Sequence, residues 1–173
     1  MYQSRSGVHS RASGTAMLLP LAFAAAFLIN CLARFPGETG SDSDSQYRQI
    51  MRNVLDDWHP PMLARIWQAL GLFGEGPGTL FVFNIAFYWL MLASFALGLR
   101  WAGRPRSAWA VLLVGATPTL LMINVNLAKD VTMAVLLLLA PALVFHARAR
   151  GGGGATLAHG GGARRADRRR FDP

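Results

Sequence analysis

Apolar residues along this chain gather into four long runs, separated by segments of quite different character. The first covers residues 14–32, the second 79–99, the third 108–125 and the fourth 127–145. Each is long enough to cross about 30 Å of hydrocarbon as a helix rising about 1.5 Å per residue. The first run follows a polar stretch, residues 1–13, that carries Arg5 and Arg11. A secretory leader has the same order of parts but a core of only about 7–15 apolar residues, so the run reads as a retained span. The third and fourth runs are separated by a very short turn and predict a helical hairpin. The pattern is that of an all-α, multi-span membrane protein.

Between the first two spans lies a loop, residues 34–78, whose periodicity is helical in two places. It opens on the breakers Pro36, Gly37 and Gly40. Tyr47, Ile50, Met51, Val54 and Leu55 then recur on one face, with Arg48, Gln49, Arg52 and Asn53 on the other. This spacing predicts a short amphipathic helix over residues 46–55, with Ser43 or Ser45 as its cap. Pro60 or Pro61 suits the first turn of a second helix, in which Met62, Leu63, Ile66, Trp67, Leu70 and Phe73 form an apolar stripe. Both helices are fit to lie at a membrane surface. The last segment, residues 147–173, is rich in glycine and arginine, nearly devoid of apolar side chains, and predicts disorder.

Composition agrees with the runs. The 173 residues are 53% hydrophobic and 15% charged, with a mean hydropathy of +0.30, less charge than a soluble domain of this length usually carries. The single cysteine, Cys31, excludes an internal disulfide framework and reads as a small buried hydrophobe. Leu28-Ile29-Asn30-Cys31 departs from a lipoprotein box at Asn30, where a small residue is expected. The net charge of +8 would fit a nucleic-acid binder, but its distribution follows membrane topology instead. With the N-terminus in the cytoplasm, the inner segments hold Arg5 and Arg11, then Arg100, Arg104 and Arg106, then the tail arginines. The 34–78 loop is slightly acidic. The asymmetry predicts N-in and C-in, with that loop and Lys129-Asp130 together on the extracytoplasmic side. A basic tail of this kind is a solvated cytoplasmic end, and nucleic acid is not an expected partner.

Candidate chemistry concentrates in the loop. Asp42-Ser43-Asp44 is a D-x-D triplet, and such a pair of hard oxygen ligands can hold Mg²⁺ or Mn²⁺ against a phosphate. The same residues would equally serve the N-terminus of the helix that follows. In Asp57-Trp58-His59-Pro60-Pro61, His59 could donate to a phosphate or sugar hydroxyl. Trp58 could stack on a sugar or anchor the loop at the interface. Lys129-Asp130 is a charged pair at a membrane boundary, either functional or an ion pair that reaches the surface. Asn124 and Asn126 could complete a polar pocket beside it.

Taken together these residues resemble the N-terminal part of the GT-C class of integral-membrane glycosyltransferases. The branch is the one that uses polyprenyl-phosphate sugars, including lipopolysaccharide galacturonosyl- and mannosyltransferases and protein mannosyltransferases. The matching elements are Asp42-Ser43-Asp44-Ser45-Gln46-Tyr47 with Gln49, then Asp57-Trp58-His59-Pro60-Pro61, Trp67 and Lys129-Asp130. The likeness spans about residues 15–146. It implies a protein of the bacterial inner membrane that transfers a sugar from a polyprenyl-phosphate donor to a glycan, lipid or protein acceptor, with inversion. It implies Asp42 as catalytic base, with Asp44 as the alternative base or, with Asp42, a metal ligand. Gln46, Asp57, Trp58, His59, Lys129 and Asp130 are the implied substrate-binding residues. Members of the class have many more spans, so four spans followed by an abrupt change after Phe145 predict a fragment or frameshifted reading with an incomplete donor groove. The readings from other classes are a non-catalytic small membrane protein, as subunit or scaffold, and a transporter fragment with Lys129-Asp130 as an intramembrane charge pair.

Overall fold

The computed structural model describes the backbone of residues 8–52 and 61–166, and the side chains of residues 17–52 and 61–152. Among the described residues seven helices follow one another: α1 (Val8–Arg34), α2 (Ser41–Arg52), α3 (Pro61–Leu70), α4 (Gly78–Trp101), α5 (Pro105–Gly115), α6 (Pro118–Val125) and α7 (Lys129–Ala166). Three of the described segments are long and apolar enough to cross a membrane: Met17–Arg34 in α1, the whole of α4, and Lys129–Gly152 in α7. The α5 and α6 pair passes the same test jointly, bent by 56°. Among the described residues the chain is all-helical, an integral membrane protein with three candidate spans, or four with the bent pair.

Helix α4 is the centre because α1, α5, α6 and α7 all pack against it, and its lack of a polar face suits burial on several sides. Leu80, Phe81, Ile85, Tyr88, Trp89 and Ala96 along it are all buried. Ring contacts set the register of its neighbours. Phe23 meets Trp89 at 6.0 Å and Phe35 meets Phe81 at 6.2 Å, so α1 runs antiparallel to α4. Thr132 bonds Asn84 and Phe145 meets Phe95 at 5.1 Å, so α7 runs parallel to α4, its main partner. The bent pair carries the chain back between them. Leu28, Leu32, Leu137 and Leu138 stay exposed on the outer faces, where hydrocarbon rather than water is the solvent.

The structure departs from the sequence expectations in three places. The run over 108–125 is not one helix: α5 starts earlier, at Pro105, and stops at Gly115. Pro118 has no N–H to give and drives Thr117 into an extended conformation, φ −63° and ψ 141°. Tyr88 O–H donates to the freed Gly115 carbonyl at 2.7 Å and so satisfies part of the break. Tyr88→Phe should leave that carbonyl unpaired inside the bundle and cost about 0.6–1.7 kcal/mol, the range of interhelical bonds in membranes. Thermal unfolding in detergent beside the wild type measures it; an unchanged Tm would mean the break needs no such support.

The second difference is in the loop. α2 begins at Ser41, not Gln46, and its first bond runs from Asp44 N–H to the Gly40 carbonyl at 2.9 Å. Gly40 is therefore the cap, and Ser43 and Ser45 are inside the helix. Val54 and Leu55 lie outside the described residues. In α3, Leu63 and Trp67 are buried and Ile66 and Leu70 half-buried, but Met62 is exposed and Phe73 falls beyond the helix end, also exposed. The third concerns the tail: α7 continues to Ala166, where composition predicts disorder. Extending a formed helix adds one hydrogen bond per residue without a new nucleus. The glycines there each disfavour the helix by about 1 kcal/mol.

Candidate functional site

The 34–78 loop is fastened to the turn between α6 and α7 by backbone pairing. Gly37, at φ 93°, reverses the chain, its N–H donating to the Arg34 carbonyl at 2.8 Å. Glu38 is then extended. Its N–H donates to Val125 O at 3.0 Å and its carbonyl accepts from Leu127 N–H at 3.0 Å, a short parallel bridge. One turn into α2, Ser43 Oγ donates to the Leu127 carbonyl at 3.0 Å, and the side chain is buried. Asp42 thus adjoins a residue bonded to Leu127, and Lys129 follows Leu127 by two positions. Two segments that the sequence keeps about 85 residues apart meet at one end of the bundle.

The carboxylates of the D-x-D triplet do not converge. Asp42 and Asp44 both lie in the first turn of α2 and are exposed. Residues i and i+2 of a helix point about 200° apart. Ser43 and Gln46 occupy the inward face, 3% and 2% exposed. The pair does not fit a shared Mg²⁺ or Mn²⁺, and among the described residues no group of three His, Cys, Asp or Glu side chains could hold a metal. What the placement provides is negative charge at a helix N-terminus and two carboxylates open to solvent. Gln46 is sealed in, and its Nε2 has no partner among the described residues.

Lys129 and Asp130 open α7, Lys129 half-buried and Asp130 exposed. Lys129 borders an apolar cavity of about 270 Å³ between α3 and α7, formed by Met62, Leu63 and Ile66 on one side and Met133 and Leu136 on the other. Thr132 also borders it, but its hydroxyl is turned away to donate to Asn84 Oδ1 at 3.0 Å. The cavity is therefore a hydrocarbon slot whose one charged neighbour among the described residues is an ammonium on a long apolar stem. Trp67 braces its α3 wall: its ring meets Tyr47 at 5.1 Å and its indole N–H donates to Gly76 O at 3.3 Å. Asn124 is buried, its amide bonded back to Leu120 O at 2.8 Å with Oδ1 unpartnered, while Asn126 is exposed in the bridge with Glu38. The polar pocket expected of these two is not formed between them. Asp57, Trp58 and His59 lie outside the described residues.

Sequence reasoning missed Asn30, Asn84 and Thr132. Among the described residues, Asn84 is fully buried with Nδ2 unpartnered, and Asn30 is 4% exposed with neither amide atom partnered. The signal was available: each is a polar side chain inside an apolar run, which lipid makes expensive. Comparison with known protein families, with curated proteins and with solved structures finds no match to this chain.

Proposed function

We propose that the chain is the N-terminal membrane unit of a glycosyltransferase, taking a sugar from a polyprenyl-phosphate donor on the extracytoplasmic side of a bacterial inner membrane. The observation that carries this reading is the fastening of the Asp42 loop to the Lys129 turn beside an apolar slot. A polyprenyl phosphate is a long hydrocarbon with one anionic end. The slot between α3 and α7 suits the hydrocarbon, and Lys129 suits the phosphate. Asp42, exposed at the same end, would take the proton from an acceptor hydroxyl. The acceptor oxygen then bonds to the anomeric carbon as the bond from that carbon to the phosphate oxygen breaks, its electron pair leaving with the phosphate. The Lys129 ammonium compensates the charge that develops there. No metal enters this scheme, because the carboxylates of the D-x-D triplet diverge.

One observation favours a second reading. Asp42 and Asp44 sit where a helix N-terminus gains from negative charge, so they need no catalytic role, and the same slot would then belong to a non-catalytic lipid-binding subunit. Membranes containing the full chain, incubated with radiolabelled polyprenyl-phosphate sugars, separate the two. Transfer above empty membranes supports the enzyme; retention without transfer supports the subunit. Under either reading Lys129→Gln should weaken retention about fivefold, one basic side chain near an anionic headgroup being worth about 1 kcal/mol. Met133→Trp should narrow the slot and weaken retention as well. Unchanged retention in both variants would remove the slot from the proposal.

A further inference from the structure

The opposite end of the bundle has a second feature that the sugar-transfer reading does not use. Helices α4 and α7 run side by side there, so closely that a Cβ on Gly98 would come within 2.7 Å of the Phe145 ring and 3.2 Å of His146 Cα. Gly98 and His146 are therefore level. Arg100 and Arg148 follow each by two residues, Arg104 ends the turn that leads into α5, and Arg106 lies in the first turn of α5. Arg104, Arg106, Arg148 and Arg150 are exposed. No aspartate or glutamate occurs in the sequence between Glu75 and Asp130, or between Asp130 and Asp167. This end gathers arginines from α4, from α5 with its entry turn, and from α7, and no aspartate or glutamate lies near them in the sequence.

Immediately inside it, α4 and α7 leave an apolar groove of about 420 Å³, bordered by Met91, Leu92, Phe95, Leu138, Ala142 and Phe145. Phe95 is 40% exposed along it, with its ring 5.1 Å from that of Phe145. On α7 the stripe Leu138, Ala142, Phe145 advances by four and three residues, and the next step of three is Arg148. Groove and charge thus share one helix face. Arg148 lies about 4.5 Å further along the axis than Phe145, at about 1.5 Å per residue. Trp101 and Trp109, 54% and 41% exposed, flank the same end, in the manner of aromatic side chains at a membrane interface.

We propose that this end binds an anionic phospholipid, with one acyl chain in the Phe95–Phe145 groove and the phosphate on Arg148 and Arg104. Charge complementarity selects the headgroup, and the adjoining groove selects a lipid over other polyanions. A nucleic acid would meet the arginines but has nothing to place between α4 and α7. Basic pockets between membrane helices are a recurrent form of headgroup site. The proposal holds whether or not the chain transfers sugar.

The test uses the full chain purified in detergent, titrated with dioleoyl-phosphatidylglycerol or dioleoyl-phosphatidylcholine and read by native mass spectrometry. Phosphatidylglycerol should be retained preferentially. The double variant Arg104→Ala/Arg148→Ala should weaken it on the order of 25-fold, two charges near the headgroup each giving about fivefold. Both side chains are exposed, so the variant should unfold at the wild-type temperature in lipid-free detergent. Ala142→Trp should block the groove and reduce retention with the arginines intact, and Arg148→Lys, which keeps the charge, should retain most of the binding. Equal retention of the two lipids, or wild-type retention by the double variant, overturns the proposal. So does displacement by soluble glycerol phosphate as effective as by lipid, which means a headgroup site without the groove. Displacement of the lipid by a short oligonucleotide at lower concentration overturns it in favour of a nucleic-acid surface.

Discussion

Replacing Asp42 by Asn is expected to lower sugar transfer by about 10²- to 10⁴-fold, the usual contribution of a positioned general base, while leaving the protein folded. The expectation of a fold intact follows from where the side chain sits. Asp42 is exposed on the first turn of α2 and makes no ion pair with another described residue. The tie between α2 and the α6–α7 turn belongs to its neighbour, through Ser43 Oγ and Leu127 O. Removing the charge forfeits only its interaction with the helix dipole, about 0.3–1 kcal/mol. Asp44→Asn gives up a similar amount from the other side of the helix, so it is the matched control. A rate loss confined to Asp42→Asn, with equal Tm for both variants, is what a base at this position requires. Equal loss in both variants would mean that the effect runs through α2 itself; no loss in either, with transfer present in the wild type, would move the base elsewhere.

The long-range plan was legible in the sequence because lipid imposes it. A run of apolar residues that must cross hydrocarbon has to be helical, and α1, α4 and the first half of α7 lie where the runs put them. The break in α5–α6 was legible too, as Gly115 and Pro118 inside an apolar run, but run length alone conceals a proline that another helix can accommodate. Less legible was the start of α2. Serine and aspartate are both good caps, so cap preference pointed to Ser43 or Ser45, whereas the position was decided by tertiary bonds from Glu38 and Ser43 to Val125 and Leu127. Those partners are more than 80 residues away, and no local pattern announces them. The same holds for the D-x-D triplet. Its spacing fits a metal only in an extended or turn conformation, and the helix that begins one residue earlier separates its carboxylates. That Asn84 would hold the Thr132 hydroxyl away from the slot could not be read from either residue, only from the parallel packing of α4 on α7.

Phe81→Ala should be the most destabilising single truncation near the site, at about 3–5 kcal/mol. Phe81 is fully buried in the helix that every other span packs against, so its loss leaves a void with little freedom to collapse. It also supports the turn that positions the loop. Its ring contacts Phe35 edge-on at 6.2 Å, and a Cβ placed on Gly37 would lie 2.9 Å from its Cδ2. The chain folds over this ring just before Glu38 pairs with the α6–α7 turn. Loss of the ring should therefore weaken that pairing as well as the core, and faster hydrogen exchange at the Glu38 and Leu127 amides would report it. Gly37→Ala attacks the same contact from the loop side, adding a methyl against the ring at a φ of 93° that disfavours any side chain. It should speed exchange at the same two amides while leaving the centre of α4 protected. Leu137→Ala, on a side chain 68% exposed, is the reference and should cost within about 0.5 kcal/mol. If Phe81→Ala unfolds at the same temperature as Leu137→Ala, α4 is not the centre of the bundle. If it unfolds early but Gly37→Ala leaves the Glu38 and Leu127 amides as slow as in the wild type, the loop is held by Ser43 and Leu127 alone, and the Asp42 end keeps its geometry without the aromatic support.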